Sequence, residues 1–309
     1  MKRIVCAVVL SGLWAAGLWA DEPAFLTHTQ FQAVDATGKQ SYTHNDRVVL
    51  EGIVLNNSAD LLNPTPDETV TTRGALGGQW QIFIQGEGGD HAGTAVFMAQ
   101  LYNNVNLLWG SYSNAEFIAE LTRLNTAQFC PGDRVRIMGY YLPYKGKNNI
   151  NEWHYTEPVY NFTVELLAKG VGLPRPEVVS LGQLKGDQDQ FLFDPLRLSG
   201  CEYYQGRLVK IQGVRFVDPN MWGPSTDLLI TDGRLRFPVL LGRGTGIYAG
   251  SYNLTEPFDV IGIMDQEDKQ HPDAPREGYR LWVPNYDGNG HVLASLEHRL
   301  ADRDQDNFQ

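Results

Sequence analysis

The feature that most constrains this chain is a twice-repeated series of five short β-type runs, each bounded by turn residues and too short for an ordinary helix. Arg47–Asn56, Trp80–Gln85, Thr94–Tyr102, Asp133–Tyr141 and Asn161–Ala168 are rich in Val, Ile, Phe and Tyr and are punctuated by Gly, Pro, Asn or Asp. One helix interrupts this series. Ser113 and Glu116 form a capping-box pattern ahead of Asn114–Asn125, where Phe117, Ile118, Leu121 and Leu124 recur at helical spacing. A second series follows in Gly206–Phe216, Asp227–Thr231, Leu235–Leu241, Phe258–Met264 and Tyr279–Val283, with Asp232-Gly233 predicting a tight hairpin. The first run of each series carries an interior glycine, Gly52 and Gly213, and such glycines mark bulges or sharp bends.

Three strands, a helix and two strands is the order of a five-stranded OB barrel. The predicted fold is therefore all-β with one short helix, as two tandem OB-like five-stranded barrels. The expected boundaries are a segment at 21–45, a first barrel at 46–169, a linker at 170–200, a second barrel at 201–292 and an acidic polar tail at 293–309. One continuous β-sandwich is the alternative.

These residues also resemble a known group. Gly206-Arg207-Leu208-Val209-Lys210-Ile211-Gln212-Gly213-Val214, Leu229-Ile230-Thr231-Asp232-Gly233, Phe258-Asp259-Val260-Ile261-Gly262-Ile263 and Gly278-Tyr279-Arg280-Leu281-Trp282-Val283-Pro284 are similar to the OB-fold modules of bacterial extracellular proteins. Modules of this kind occur on secreted nucleases of the YhcR type. The resemblance covers about 206–290 and, more loosely, 45–169. It implies a fold and an exported setting, while catalysis in such proteins belongs to other domains and does not follow from the fold.

The N-terminus agrees with export. Lys2 and Arg3 precede an uncharged run from Ile4 to Ala20, the layout of a signal peptide at 1–20. A signal anchor is the rival reading. Cleavage after Ala20 would remove two basic residues and no acid, changing the formal charge from −11 to −13. Periplasm and medium are both open as destinations. Cys130 and Cys201 would remain, available for one disulfide in an oxidising compartment or standing as two free thiols. The acidity disfavours unspecific binding to phosphate backbones.

No local motif encodes chemistry. The seven histidines form no His-Glu-x-x-His, and Cys-x-x-Cys, Walker, Gly-x-Ser-x-Gly and strand-following Gly-x-Gly-x-x-Gly patterns are missing. No catalytic residue and no cofactor is assigned. Asn285, Asp287 and Asn289 alternate as in the front half of a calcium loop, but Leu296 stands where a closing Glu is required. A tight Asp-Gly turn after the last strand is the simpler reading of them.

The remaining signals are those of binding. OB barrels take oligonucleotides or oligosaccharides on the strand 2–3 face, flanked by the loops between strands 1 and 2 and between strands 4 and 5. Tyr144, Lys145, Lys147, Asn149 and Trp153 fall in or just after the expected strand 4–5 connection of the first barrel, and Trp222 in the strand 1–2 connection of the second. Such side chains equally serve as barrel plugs and solvated lysines. The function read from the sequence is an exported, non-catalytic binding or scaffolding protein for an oligomeric polymer, nucleic acid or glycan. The alternatives are a metal-dependent hydrolase or phosphodiesterase assembled from separated loops, and a purely structural envelope protein with a protein partner.

Overall fold

The computed structural model describes residues 23–43, 47–71, 74–102, 110–125, 128–152, 161–221, 227–243, 256–271, 273–284 and 293–295. The chain runs β1 (Ala24–Phe25), α1 (His28–Phe31), β2 (Arg47–Val54), β3 (Gln79–Gln85), β4 (Gly93–Ala99), α2 (Asn114–Asn125), β5 (Arg134–Tyr144), β6 (Lys147–Asn151) and β7 (Thr163–Ala168). It continues with β8 (Glu177–Val179), α3 (Leu181–Leu184), α4 (Gly200–Tyr203), β9 (Leu208–Phe216), β10 (Asp227–Thr231), β11 (Arg236–Leu241), β12 (Phe258–Gln266), β13 (Tyr279–Val283) and β14 (Leu293–Ser295).

Two barrels close with the same strand order. In the first, β2 pairs with β3, β3 with β4, β4 in parallel with β6, β6 with β5, and β5 back with β2. In the second, β9, β10, β11, β13 and β12 repeat that circuit, with β11–β13 as the parallel pair and β12–β9 as the closure. Four antiparallel pairs and one parallel pair between strands 3 and 5 is the OB circuit, so the protein is a tandem of two OB-like barrels.

Each barrel also carries the same additions. Ahead of each lies a short strand parallel to its first strand, β1 on β2 and β8 on β9, followed by a single helical turn. Both turns are opened by a capping box, Thr27 with Gln30 and Ser180 with Gln183. After each barrel a strand adds to its fourth strand, β7 on β5 and β14 on β12. The unit that repeats is thus strand, helical turn, barrel and strand.

Three sequence expectations change. The fifth strand of the first barrel is β6, and Thr163–Ala168, expected in that role, is the added strand β7. Tyr140–Asn149 is accordingly a β-hairpin of β5 and β6 turning at Lys145-Gly146, where both residues have positive φ. The connecting stretch at 170–200 supplies β8 and α3 to the second barrel. In α2, Phe117 and Leu124 are buried, but Ile118 is 51% exposed, so the apolar stripe is narrower than its spacing implies.

The interior glycines have distinct reasons. Gly213, with φ of 66°, sits where the β9–β12 register shifts, which makes it a bulge. Gly52 instead lets β2 approach β3, since a Cβ there would lie 2.5 Å from the Gln85 carbonyl oxygen.

One hydrophobic core fills the first barrel, with Trp80, Ile82, Ile84, Val96 and Ile137 inside and Phe117 of α2 packed against it. The core of the second barrel does not stop at its own wall. It continues into Leu55, Leu61, Phe83 and Ala95 of the first, so the two barrels share buried apolar surface.

Candidate binding face

Cross-strand register defines the outer face of the first barrel. Phe83, Ala95 and Asn149 share one row across β3, β4 and β6, and Gln81, Phe97 and Asn151 share the next. This is the strand 2–3 face on which OB barrels hold their ligands. Here the second barrel is docked on it. Phe83 and Ala95 belong to the shared core, and Phe83 meets the Trp282 ring edge-on at 6.4 Å.

The sequence-expected contact residues lie in this junction. Lys147 is 5% exposed, and its Nζ makes a buried ion pair with Asp265 of β12. Tyr144 donates its hydroxyl to Glu267 at 2.6 Å, and Lys145 Nζ reaches the same carboxylate at 3.0 Å. Asp265 and Glu267 are shared with Arg280, whose Nε and Nη2 bond Asp265 at 3.0 and 2.9 Å and whose Nη1 bonds Glu267 at 2.9 Å. Asn149 is also buried, beside Ala95. Tyr144, Lys145 and Lys147 therefore contact the second barrel, the physical reason being four charges that would otherwise be desolvated without partners. Trp153, Trp222, Asn285, Asp287 and Asn289 lie outside the described residues. Cys130 and Cys201 are both free thiols, Cys130 exposed and Cys201 in the second core, so no disulfide joins them.

The backbones come equally close. Gly93 donates its N–H to the Gln205 carbonyl at 3.1 Å, and a Cβ on Gly206 would lie 2.2 Å from the Gly93 carbonyl oxygen. Only glycine permits that approach.

Docking covers the β12–β13 side of the corresponding face in the second barrel, where Trp282 and Asp265 lie, and leaves the β10–β11 side open. Asp227 and Arg236 are exposed there, and Leu229, 41% exposed, accepts the Val217 N–H at its carbonyl at 2.8 Å. Between this surface and the β12–β13 loop is a cleft of about 320 Å³, lined by Asp227, Pro238, Lys269, Gln270, Glu277 and Arg280, with Phe191, Glu267 and Asp268 among its walls. The loop is held in shape by Asp268, whose carboxylate accepts the backbone N–H groups of Gln270, His271 and Glu277 at 3.0, 2.9 and 3.2 Å.

Charge in the cleft is dominated by carboxylates. Arg280 is spent on Asp265 and Glu267, and Lys269 lies 3.4 Å from Glu267. Burial opposes ionisation of Glu267, but Arg280, the Tyr144 hydroxyl and Lys145 outweigh it and hold the carboxyl well below its usual range. Among the described residues, no group of three or more His, Cys, Asp or Glu lies within metal-holding reach.

A second polar cluster lies where β6 ends near α2. Glu152 is wholly buried, accepts a short hydrogen bond from the Tyr112 hydroxyl and faces Arg123 at 3.7 Å. Burial, reinforced by the neighbouring Glu120 carboxylate, pushes its carboxyl up to about 9. No sequence signal marks this pair, because Glu120 and Glu152 come from a helix and a strand end.

No protein-family model and no curated protein matches the chain. Among solved structures, it is similar to a murine DNA binding protein bound with double-stranded DNA, at 11% identity over 77% of this chain and 94% of that one, with a TM-score of 0.32. It is also similar to a Replication Protein A heterotrimer bound to single-stranded DNA, at 10% identity and a TM-score of 0.31, covering 87% of this chain and 56% of that one. The fold assignment itself rests on the strand circuit described above. No helix among the described residues is long and apolar enough to cross a membrane.

Two predictions follow from the buried charges. Lys147→Met leaves Asp265 buried with only Arg280 as cation and is expected to lower unfolding stability by about 3 kcal/mol, measured by denaturant titration. Glu152 behaves oppositely. The unfolded chain ionises this carboxyl near pH 4.5 while the native protein keeps its proton to about pH 9, so wild-type stability falls as pH rises through that window. Glu152→Gln is expected to stabilise the protein by about 2 kcal/mol at pH 7. That gain should vanish towards pH 4.5 in the same titration, and a gain independent of pH contradicts the assignment.

Proposed function

We propose that this is an exported, non-catalytic binding module that takes an oligomeric polymer in the second-barrel cleft. The observation that carries the reading is the asymmetry between two equivalent faces. One is closed by the other barrel, whereas the other keeps an open cleft with polar walls from the β12–β13 loop and an apolar strip of Pro238 and its cross-strand neighbour Leu229.

The charge pattern favours an oligosaccharide over an oligonucleotide. A phosphate chain is held by cations that release its counterions, and here the two cations lining the cleft, Arg280 and Lys269, both lie against carboxylates, which leaves Arg236 beside it as the exposed cation of the β10–β11 side among the described residues. A sugar chain needs hydroxyl partners and an apolar surface, which Gln270, Asp227, Glu277 and Pro238 supply. The OB circuit keeps the oligonucleotide as a second reading, because such barrels serve both ligand classes. Residues 1–20 carry the export part of the proposal.

The test is binding of residues 21–309 to neutral and charged glycans and to single-stranded DNA and RNA, at low and physiological salt, with and without calcium. The expected result is salt-insensitive binding to a neutral glycan, weakened about 10-fold by Gln270→Ala combined with Asp227→Ala, the loss of two polar contacts. Steeply salt-dependent binding to single strands supports the oligonucleotide reading instead. Absence of binding to every polymer overturns the function.

A further inference from the structure

The cleft is not built by the second barrel alone. Its β12–β13 loop begins at Glu267, and that residue is held by the first barrel: Tyr144 donates to one carboxylate oxygen, Lys145 Nζ reaches the same oxygen, and Arg280 takes the other. The next residue is tied as well, since the Asp268 N–H donates to the Lys145 carbonyl at 2.9 Å. Asp268 in turn shapes the loop through three backbone N–H groups. Farther along, Arg276 donates from Nη2 to the Ala36 carbonyl at 2.6 Å, so the loop is tied to the first half of the chain at both ends.

We infer that Tyr144 and Lys145, at the turn of the first barrel's hairpin, are positioning residues for the binding cleft of the second barrel. They act through Glu267. Without them its carboxylate keeps Arg280 and Lys269 but loses the two groups that fix its other oxygen, and the first turn of the loop keeps only the Asp268 N–H bond to the Lys145 carbonyl as its tie to the hairpin. In a site that grips a neutral chain through a few hydrogen bonds, misplacement of the loop removes several contacts together. The first barrel has then exchanged a ligand face of its own for support of its neighbour's. This inference rests on the reading of the cleft as the binding site, although the support itself is measurable without any ligand.

The experiment compares the full mature chain with Tyr144→Phe, Lys145→Met and the double variant. Amide hydrogen exchange across 267–280 is expected to accelerate about 10-fold in the double variant, with exchange in β9 and β10 unchanged and little loss of thermal stability. Binding of cellohexaose is expected to weaken in the same variants, and Lys145→Arg, which keeps the cation, is expected to restore it. Unchanged exchange in 267–280 overturns the inference, as does unaltered cellohexaose affinity in the double variant. If wild type binds neither cellohexaose nor a short oligothymidylate, the binding reading is what fails, and exchange alone decides whether the hairpin positions the loop. Should the double variant unfold, Tyr144→Phe, which removes one hydroxyl, carries the same comparison.

Discussion

A lysine buried between two barrels organises this protein. Lys147 sits on the outer face of the first barrel, 5% exposed, and its charge is tolerable only because Asp265 of the second barrel meets it. Asp265 then needs Arg280, Arg280 needs Glu267, and Glu267 draws in Tyr144 and Lys145. Removing Lys147, Asp265 or Arg280 strands a charge away from water, which costs far more than an exposed ion pair contributes. Around this chain the apolar contacts of Phe83, Ala95 and Trp282 and the Gly93–Gly206 approach bring the two walls together.

The functional asymmetry follows from that junction. Two barrels with the same circuit begin with equivalent faces, but docking consumes the face of the first and only the β12–β13 side of the face in the second. The open cleft is left beside a loop that the first barrel holds in place. On the proposed reading, a joined pair that presents one open cleft among its described residues is a different device from two independent barrels on a tether, because its affinity does not grow by linking two weak sites.

Much of the fold was legible in the sequence, for a physical reason. Strands of the second barrel are short runs rich in β-branched, aromatic and other apolar residues between clear turn signals, so Asp227–Thr231 and Tyr279–Val283 were placed to the residue. The fifth strand of the first barrel escaped because Lys147-Asn148-Asn149-Ile150-Asn151 is polar at four of five positions. Its burial is made acceptable by long-range partners: Asp265 for Lys147, and Gln32 and the Phe31 carbonyl for Asn148. Such partners have no local signature. The two capping boxes, by contrast, were readable, and Thr27-x-x-Gln30 beside Ser180-x-x-Gln183 is the signal that could have found the helical turns preceding each barrel.

The candidate site was legible only in outline. The type of barrel pointed to the strand 4–5 hairpin as a contact region, and that hairpin does make contacts, with the neighbouring barrel. Which barrel keeps its face open depends on how two similar surfaces meet, a property of tertiary pairing. The two barrels form one unit through a common core and a buried ion-pair chain. Differential scanning calorimetry of residues 21–309 is therefore expected to show one cooperative transition whose calorimetric and van't Hoff enthalpies agree, and two separable transitions would mean that the barrels fold independently.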